Sequence, residues 1–255
     1  MENSLDVDRL ERAVKSVYRD VAEAPDEEYH FETGRELAER LGYPAGDLDR
    51  IPARALASFA GVGYHFDLAD LRAGDDVLDL GSGSGTDAFV AALRVGDAGS
   101  VTGVDMTDPQ LATARRLRDE AGLDNVRFER GYVEDLPFDD ATFDAVVSNG
   151  VLNLSPDKRR VFEEAYRVLR SGGRLAVSDI ISERRMPESI KNDEDLWAAC
   201  IGGAEQVDRY TRLIEAAGFE VAAVRDNTQY EFVSESAANA CQKYGVKSIS
   251  LGARK

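Results

Sequence analysis

Between residues 79 and 85 the chain reads Asp79-Leu80-Gly81-Ser82-Gly83-Ser84-Gly85, a carboxylate followed by three glycines at alternate positions. Glycine at this spacing lets the backbone turn tightly and admits a ligand where a Cβ would intrude. A second carboxylate, Asp105, closes the next apolar run, and an acid at that place can accept both hydroxyls of a ribose. The pair predicts a nucleoside ligand. Asp79 narrows the choice, because a carboxylate aimed at a ligand repels pyrophosphate and pairs with an ammonium. A dinucleotide turn also calls for glycine at position 86, where this chain has Thr86. S-adenosylmethionine, with an α-amino group, a sulfonium and no phosphate, therefore fits better than a nicotinamide dinucleotide.

These residues need elements to hold them. From about residue 72 apolar runs alternate with helical spacing. Asp76–Leu80, Val101–Asp105, Val126–Phe128, Phe143–Ser148 and Arg174–Ser178 read as strands. Thr86–Leu93, Asp108–Ala121 and Asp157–Leu169 read as helices, the last closed by Gly172-Gly173. A helix over Tyr210–Ala217 and two late strands, Phe219–Val224 and Val246–Leu251, follow. Such alternation implies right-handed crossovers and a mainly parallel sheet covered on both faces. Residues 1–66 differ: helical spacing at Val7–Asp20 and Gly34–Leu41, broken by Pro25, Pro44 and Pro52, predicts a helical N-terminal cap or lid. The expected division is a cap at 1–66 and an α/β domain at 67–255. An irregular insertion at 182–207 is placed where such folds build substrate pockets.

Composition bounds the function. The chain has 255 residues, with 31 basic and 48 acidic side chains and a formal net charge of −17, which argues against nucleic acid or an anionic membrane as partner. No apolar run approaches the roughly 18 residues a spanning helix needs, and Met1–Asp6 has no basic stretch, so the expectation is a soluble cytoplasmic protein. Lysine supplies few of the basic residues, and an acidic surface poor in lysine suits a salt-rich, halophilic cytosol. Two cysteines, Cys200 and Cys241, and two histidines make neither a disulfide framework nor a zinc cluster, so no metal is expected.

The motif series carries a resemblance. Asp79–Gly85, Asp105-Met106-Thr107, Leu136-Pro137-Phe138, Phe143-Asp144 and Arg167–Gly173 resemble the Rossmann-like class I S-adenosylmethionine-dependent methyltransferases. Val147–Lys158 and Cys200-Ile201-Gly202-Gly203-Ala204 are similar to the arsenite methyltransferase family. The resemblance covers roughly residues 55–225 and implies a seven-stranded, mostly parallel sheet with its last strand antiparallel. It also implies that Asp79 and the Gly81, Ser82, Gly83 and Gly85 turn hold the amino-acid part of the cofactor. Asp105 would bind the ribose, Met106, Val133 and Glu134 would meet the adenine, and Asn149 would sit near the methionine moiety. At the three places where that family carries arsenic-binding cysteines this chain has Val62, Gly150 and Cys200, so one thiol remains. A soft trivalent ion prefers a closed set of sulfurs.

The expected function is methyl transfer to a small-molecule acceptor, by a monomer or homodimer. Arsenite methylation with fewer cysteines and a non-catalytic cofactor-binding module are the alternatives. His65, His30 and Tyr64, in two Tyr-His-Phe tripeptides at the cap and before the first strand, are candidates to orient or deprotonate an acceptor. Tyr29, Trp197 and Cys200 are candidates to line its pocket, and Tyr18 on the first helix to shield the methionine end.

Overall fold

The computed structural model describes residues 6–25, 27, 29–191, 196–197, 201–233 and 235–255. Among these residues, five helices precede the first strand: α1 (Val7–Glu23), α2 (Arg35–Leu41), α3 (Ala45–Leu48), α4 (Ala53–Ala57) and α5 (Phe66–Ala69). Then come β1 (Asp76–Leu80), α6 (Thr86–Val95), β2 (Ser100–Asp105), α7 (Asp108–Ala121), β3 (Val126–Arg130), β4 (Phe143–Asn149), α8 (Lys158–Val168) and β5 (Leu169–Ser182). The chain ends through α9 (Glu188–Lys191), β6 (Glu205–Gln206), α10 (Val207–Ala216), β7 (Glu220–Asp226), α11 (Glu235–Tyr244) and β8 (Lys247–Arg254).

Local chemistry sets the element ends. The Asp6 carboxylate accepts from the Arg9 amide and starts α1, and Asp157 does the same for α8 through the Arg160 amide. Pro109 in the first turn of α7 and left-handed Gly122 after its last follow the usual asymmetry of helix termini. One expectation is corrected here. The helix read to Leu169 and Gly172-Gly173 stops at Val168, because Leu169 is already extended and pairs with Phe143 of β4. The two glycines instead lie inside β5, which is long because β8 pairs with it from Arg174 to Ile181.

The sheet order is β3-β2-β1-β4-β5-β8-β7, with two-residue β6 added beside β5. Strands β1 to β5 are parallel, and β8 runs antiparallel to both its neighbours. This is the expected Rossmann-like α/β architecture. Side chains alternate across β1: Val77 joins the core made with α2 to α7, while Leu78 and Leu80 join the core under α8 and α10. Asp79 shares the Val77 face.

Chain order reverses between β1 and β4, and ligands of such sheets sit at the carboxyl ends of the strands at that switch. The register levels those ends. Leu80 pairs with Val104 on one side and Ser148 on the other, so Gly81, Asp105 and Asn149 emerge side by side.

Candidate active site

A cavity of about 360 Å³ opens at this switch point. Its floor is the glycine turn, its sides are the segments that follow β2, β3 and β4, and its roof is α1, through Val7, Leu10, Glu11, Val14 and Tyr18. That volume lies in the usual range for a small-molecule site.

The turn is built from backbone that favours glycine. Gly81 and Gly83 have φ of +68° and +53°. A Cβ on Gly81 would come within 2.4 Å of Val151 on the opposite wall, so that glycine keeps the crevice open. Asp105 fastens the turn to the end of β2: its Oδ2 accepts from the Gly83 amide at 3.0 Å and its Oδ1 from the Thr107 amide at 2.8 Å.

Asp79 is buried, and its Oδ2 has no hydrogen-bond partner among the described residues. Burial, with the Asp87 and Asp105 charges added, holds its carboxyl well above the usual carboxylate range. A buried, unpartnered carboxylate oxygen beside two other acids is a receptor for a cation. The glycine backbone that faces it leaves room for that cation to arrive, so the donor set fits the ammonium of S-adenosylmethionine. Ser82 Oγ, also buried without a partner among the described residues, adds a second polar group to the floor.

Asp87, in the first turn of α6, is a cavity residue that motif reading missed. Its Oδ1 accepts from the Tyr43 hydroxyl at 2.5 Å and its Oδ2 from Asn149 Nδ2 at 3.1 Å. Asn149 also donates to the Gly63 carbonyl at 3.0 Å and accepts from the Val62 amide at 2.8 Å. One side chain thus staples β4 to the segment before β1 and to α6. Only the acid at the helix start hinted at Asp87, and nothing in the sequence pairs Tyr43 with it.

Of the residues expected to hold a cofactor, Asp79, Gly81, Ser82, Gly83, Asp105, Met106, Val133, Glu134 and Asn149 all line the cavity. Gly85 does not. It caps α6 at φ +99°, and a Cβ there would meet Phe128 at 2.8 Å and Phe89 at 2.9 Å, so its task is to let the helix close on the sheet.

The expected acceptor and base residues fare differently. His65 is completely buried at the start of α5, tilted against Phe66 with both ring nitrogens lacking a hydrogen-bond partner among the described residues. Burial lowers its pKa, and it does not line the cavity. The Tyr64 hydroxyl accepts from Arg94 at 2.9 Å, outside the cavity. His30 packs edge-on to Phe31, and Tyr29 stacks on Phe31 while its hydroxyl donates to the Ala24 carbonyl. None of these four expected residues lines the cavity. Trp197 lies behind the cavity wall rather than in it, against Leu10 and Val14 of α1. Cys200 lies outside the described residues. Tyr18 does line the cavity, as expected from its place on α1.

No group of three or more His, Cys, Asp or Glu suited to a metal occurs among the described residues, and no helix among them is long and apolar enough to cross a membrane.

A family model described as a methyltransferase domain matches residues 71–218. An arsenite methyltransferase from Halobacterium salinarum is 38% identical over 225 residues, 88% of this chain and 57% of the relative. One from Aquipseudomonas alcaligenes is 48% identical over 153 residues, 57% of this chain and 44% of the relative. This chain thus spans about half the length of these relatives. The crystal structure of an arsenic (III) S-adenosylmethionine methyltransferase from Chlamydomonas reinhardtii superposes with a TM-score of 0.65 at 33% identity, over 88% of this chain and 74% of the other. The buried Asp79 carboxylate, the open glycine turn and the strand-end acid are thus features of a chain that belongs to the S-adenosylmethionine-dependent methyltransferase family and is similar to its arsenite methyltransferases.

Proposed function

We propose that this protein is a methyltransferase that uses S-adenosylmethionine to methylate a small molecule in the cavity beneath α1. The observation that carries the reading is the buried Asp79 carboxylate, whose Oδ2 has no hydrogen-bond partner among the described residues, set behind a turn with no Cβ at Gly81 and Gly83.

The cofactor, when bound, supplies a methyl group on a cationic sulfur. Asp79 would pair with its amino group, the backbone of the glycine turn would border its amino-acid part, and Asp105 would take the ribose hydroxyls. Met106 and Val133 offer apolar surface for the adenine. The roof residues Leu10, Val14 and Tyr18 exclude water and narrow the approach of the acceptor. Holding two reactants in line is worth roughly 7–11 kcal/mol in model systems, and this is the larger part of what the chain must do.

Among the described residues the lining contains no histidine, and the carboxylates of Glu11 and Glu134 are engaged by Lys15 and Tyr132 and by Ser155. An acceptor that is nucleophilic without a strong base, such as a thiol, an amine or a soft metalloid, suits such a wall. We read residues 1–66 as a cap, 67–255 as the methyltransferase domain and 182–207 as a wall of the acceptor side, in a soluble, cytoplasmic, acidic protein. The roof formed by α1 supports this division.

Arsenite is the second acceptor reading, favoured by the identity to arsenite methyltransferases. Calorimetry with S-adenosylhomocysteine, with NADH as control, tests the cofactor reading: heat from the first and none from the second is expected, and the reverse overturns it. Acceptor-dependent formation of S-adenosylhomocysteine across thiols, amines and arsenite then separates the acceptors. Tight binding with no turnover of any acceptor would leave a cofactor-binding module.

A further inference from the structure

Lys158 occupies the first position of α8 and is buried. Both placements oppose a cation, since a helix N-terminus carries partial positive charge and burial strips water from the ammonium. Its surroundings offset these costs. Nζ donates to the Ser155 carbonyl at 2.8 Å and stands 5.0 Å from the centroid of the Trp197 ring. Asp179 on β5, Glu205 on β6 and Glu134 after β3 attract it, and Lys191 on α9 repels it. Asp179 in turn accepts from the hydroxyl of buried Tyr210 on α10 at 2.8 Å.

Trp197 is buried. Its Nε1 donates to the Lys191 carbonyl at 2.5 Å. Its ring lies on Gly202 and Gly203, where a Cβ would come within 2.3 and 2.6 Å of it; at Gly203 a Cβ would also meet the Asn153 carbonyl at 1.9 Å. Its remaining surface packs on Leu10 and Val14 of α1, with Leu154, Met106 and Tyr18 at the edge of the cluster. Leu154 and Ser155 line the cavity, as do Leu10 and Val14. A continuous path therefore runs from the ammonium to both the wall and the roof.

We propose that Lys158 is a positioning residue: its ammonium locks the Trp197 indole to the Leu154-Ser155 wall and so keeps α1 seated over the cavity. The importance of that roof for catalysis rests on the methyltransferase reading, but the lock itself is tested without any ligand.

Trp197 is the only tryptophan in the chain, so its emission reports this contact directly. Burial pushes the Lys158 ammonium down to about 8. In ligand-free wild-type protein the emission is expected to be blue and shielded from acrylamide below that pH, and to shift red with a midpoint near it. Lys158→Met should show the red emission at every pH and at least tenfold faster hydrogen exchange across α1. Lys158→Arg, whose charge does not titrate in this range, should stay blue through the transition. In a second arm, Lys158→Met should weaken S-adenosylhomocysteine binding about tenfold and Lys158→Arg should restore it. Unchanged emission and α1 exchange in Lys158→Met, or a wild-type transition that persists in it, would overturn the proposal. If Lys158→Met does not fold, a transition shared by wild type and Lys158→Arg overturns it. Failure of wild type to bind S-adenosylhomocysteine, with the emission arm as expected, supports the lock and refutes the cofactor reading alone.

Discussion

Cγ1 of Val62 lies 3.2 Å from the point where a Cβ on Gly150 would stand. These are two of the three positions at which the resemblance to arsenite methyltransferases implies cysteine. The fold sets them side by side, Val62 buried on the segment before β1 and Gly150 in the cavity lining on the turn after β4. In this chain the pair offers an isopropyl group and a hydrogen. Cys241, the free cysteine among the described residues, lies on α11 and does not line the cavity, and burial pushes its thiol up.

This adjacency makes the thiol site rebuildable. Val62→Cys with Gly150→Cys should place two thiols within reach of one metalloid. Gly150 has φ of +72°, so cysteine there carries left-handed strain of about 1–2 kcal/mol. The double variant is expected to retain arsenite at one equivalent through gel filtration, and wild type to retain far less. Stoichiometric retention by wild type, lost in Cys200→Ser, would instead favour arsenite as the native acceptor.

The raised pKa of Asp79 predicts a pH dependence. A carboxyl whose folded pKa exceeds its unfolded value contributes stability that is complete below about pH 4 and is lost as pH rises through the folded value. Ligand-free protein should therefore melt lower at pH 7 than at pH 5. Buried Asp179, pushed up to about 6, acts with the same sign. Pairing with a ligand ammonium favours ionised Asp79, so S-adenosylhomocysteine, which keeps that ammonium, should bind more tightly as pH rises from 5 to 7 and release a proton. Calorimetry in two buffers of different ionisation enthalpy measures that release. Asp79→Asn should melt higher than wild type at pH 7 without ligand, and should lose at least tenfold in affinity. A lower melting temperature together with unchanged affinity would refute this account.

Asn149 carries a structural load that its place in the cavity conceals. Replacing it with alanine leaves the Val62 amide, the Gly63 carbonyl and Asp87 short of partners, at a cost of about 3 kcal/mol. Asn149→Asp should be at least as damaging, because a carboxylate cannot donate to Asp87 or to the Gly63 carbonyl. Urea unfolding of the two variants makes the comparison, and a mild Asn149→Asp would show that the staple is not formed.

Gly81→Ala tests the turn in two parts. Its methyl would strike Val151, and its backbone would stay in a left-handed conformation. Adding Val151→Ala removes the collision but not the backbone strain, so cofactor affinity should recover in part. Full recovery would mean that sterics alone select glycine, and no recovery would assign the whole effect to the backbone.

The features legible in the sequence are those written in local chemistry. Alternation of apolar runs reveals the sheet, the glycine spacing reveals the turn, and Asp79 and Asp105 sit at fixed offsets from it. His65 shows the limit. Its position before β1 suggests reach toward a ligand, yet α5 turns the ring into the core against Phe66. The Arg167–Gly173 stretch shows another, since strand pairing with β8 overrode two glycines that read as a helix stop.

Residue order alone determined which peptide segments turn, pair and carry charge, because those properties depend on neighbours within a few positions. The packing of α1 on Trp197, the contact of Tyr43 with Asp87 and the isolation of the Asp79 oxygen were decided only when distant segments met. Desolvation and close contact arise from surfaces closing on one another, and no stretch of chain encodes them by itself.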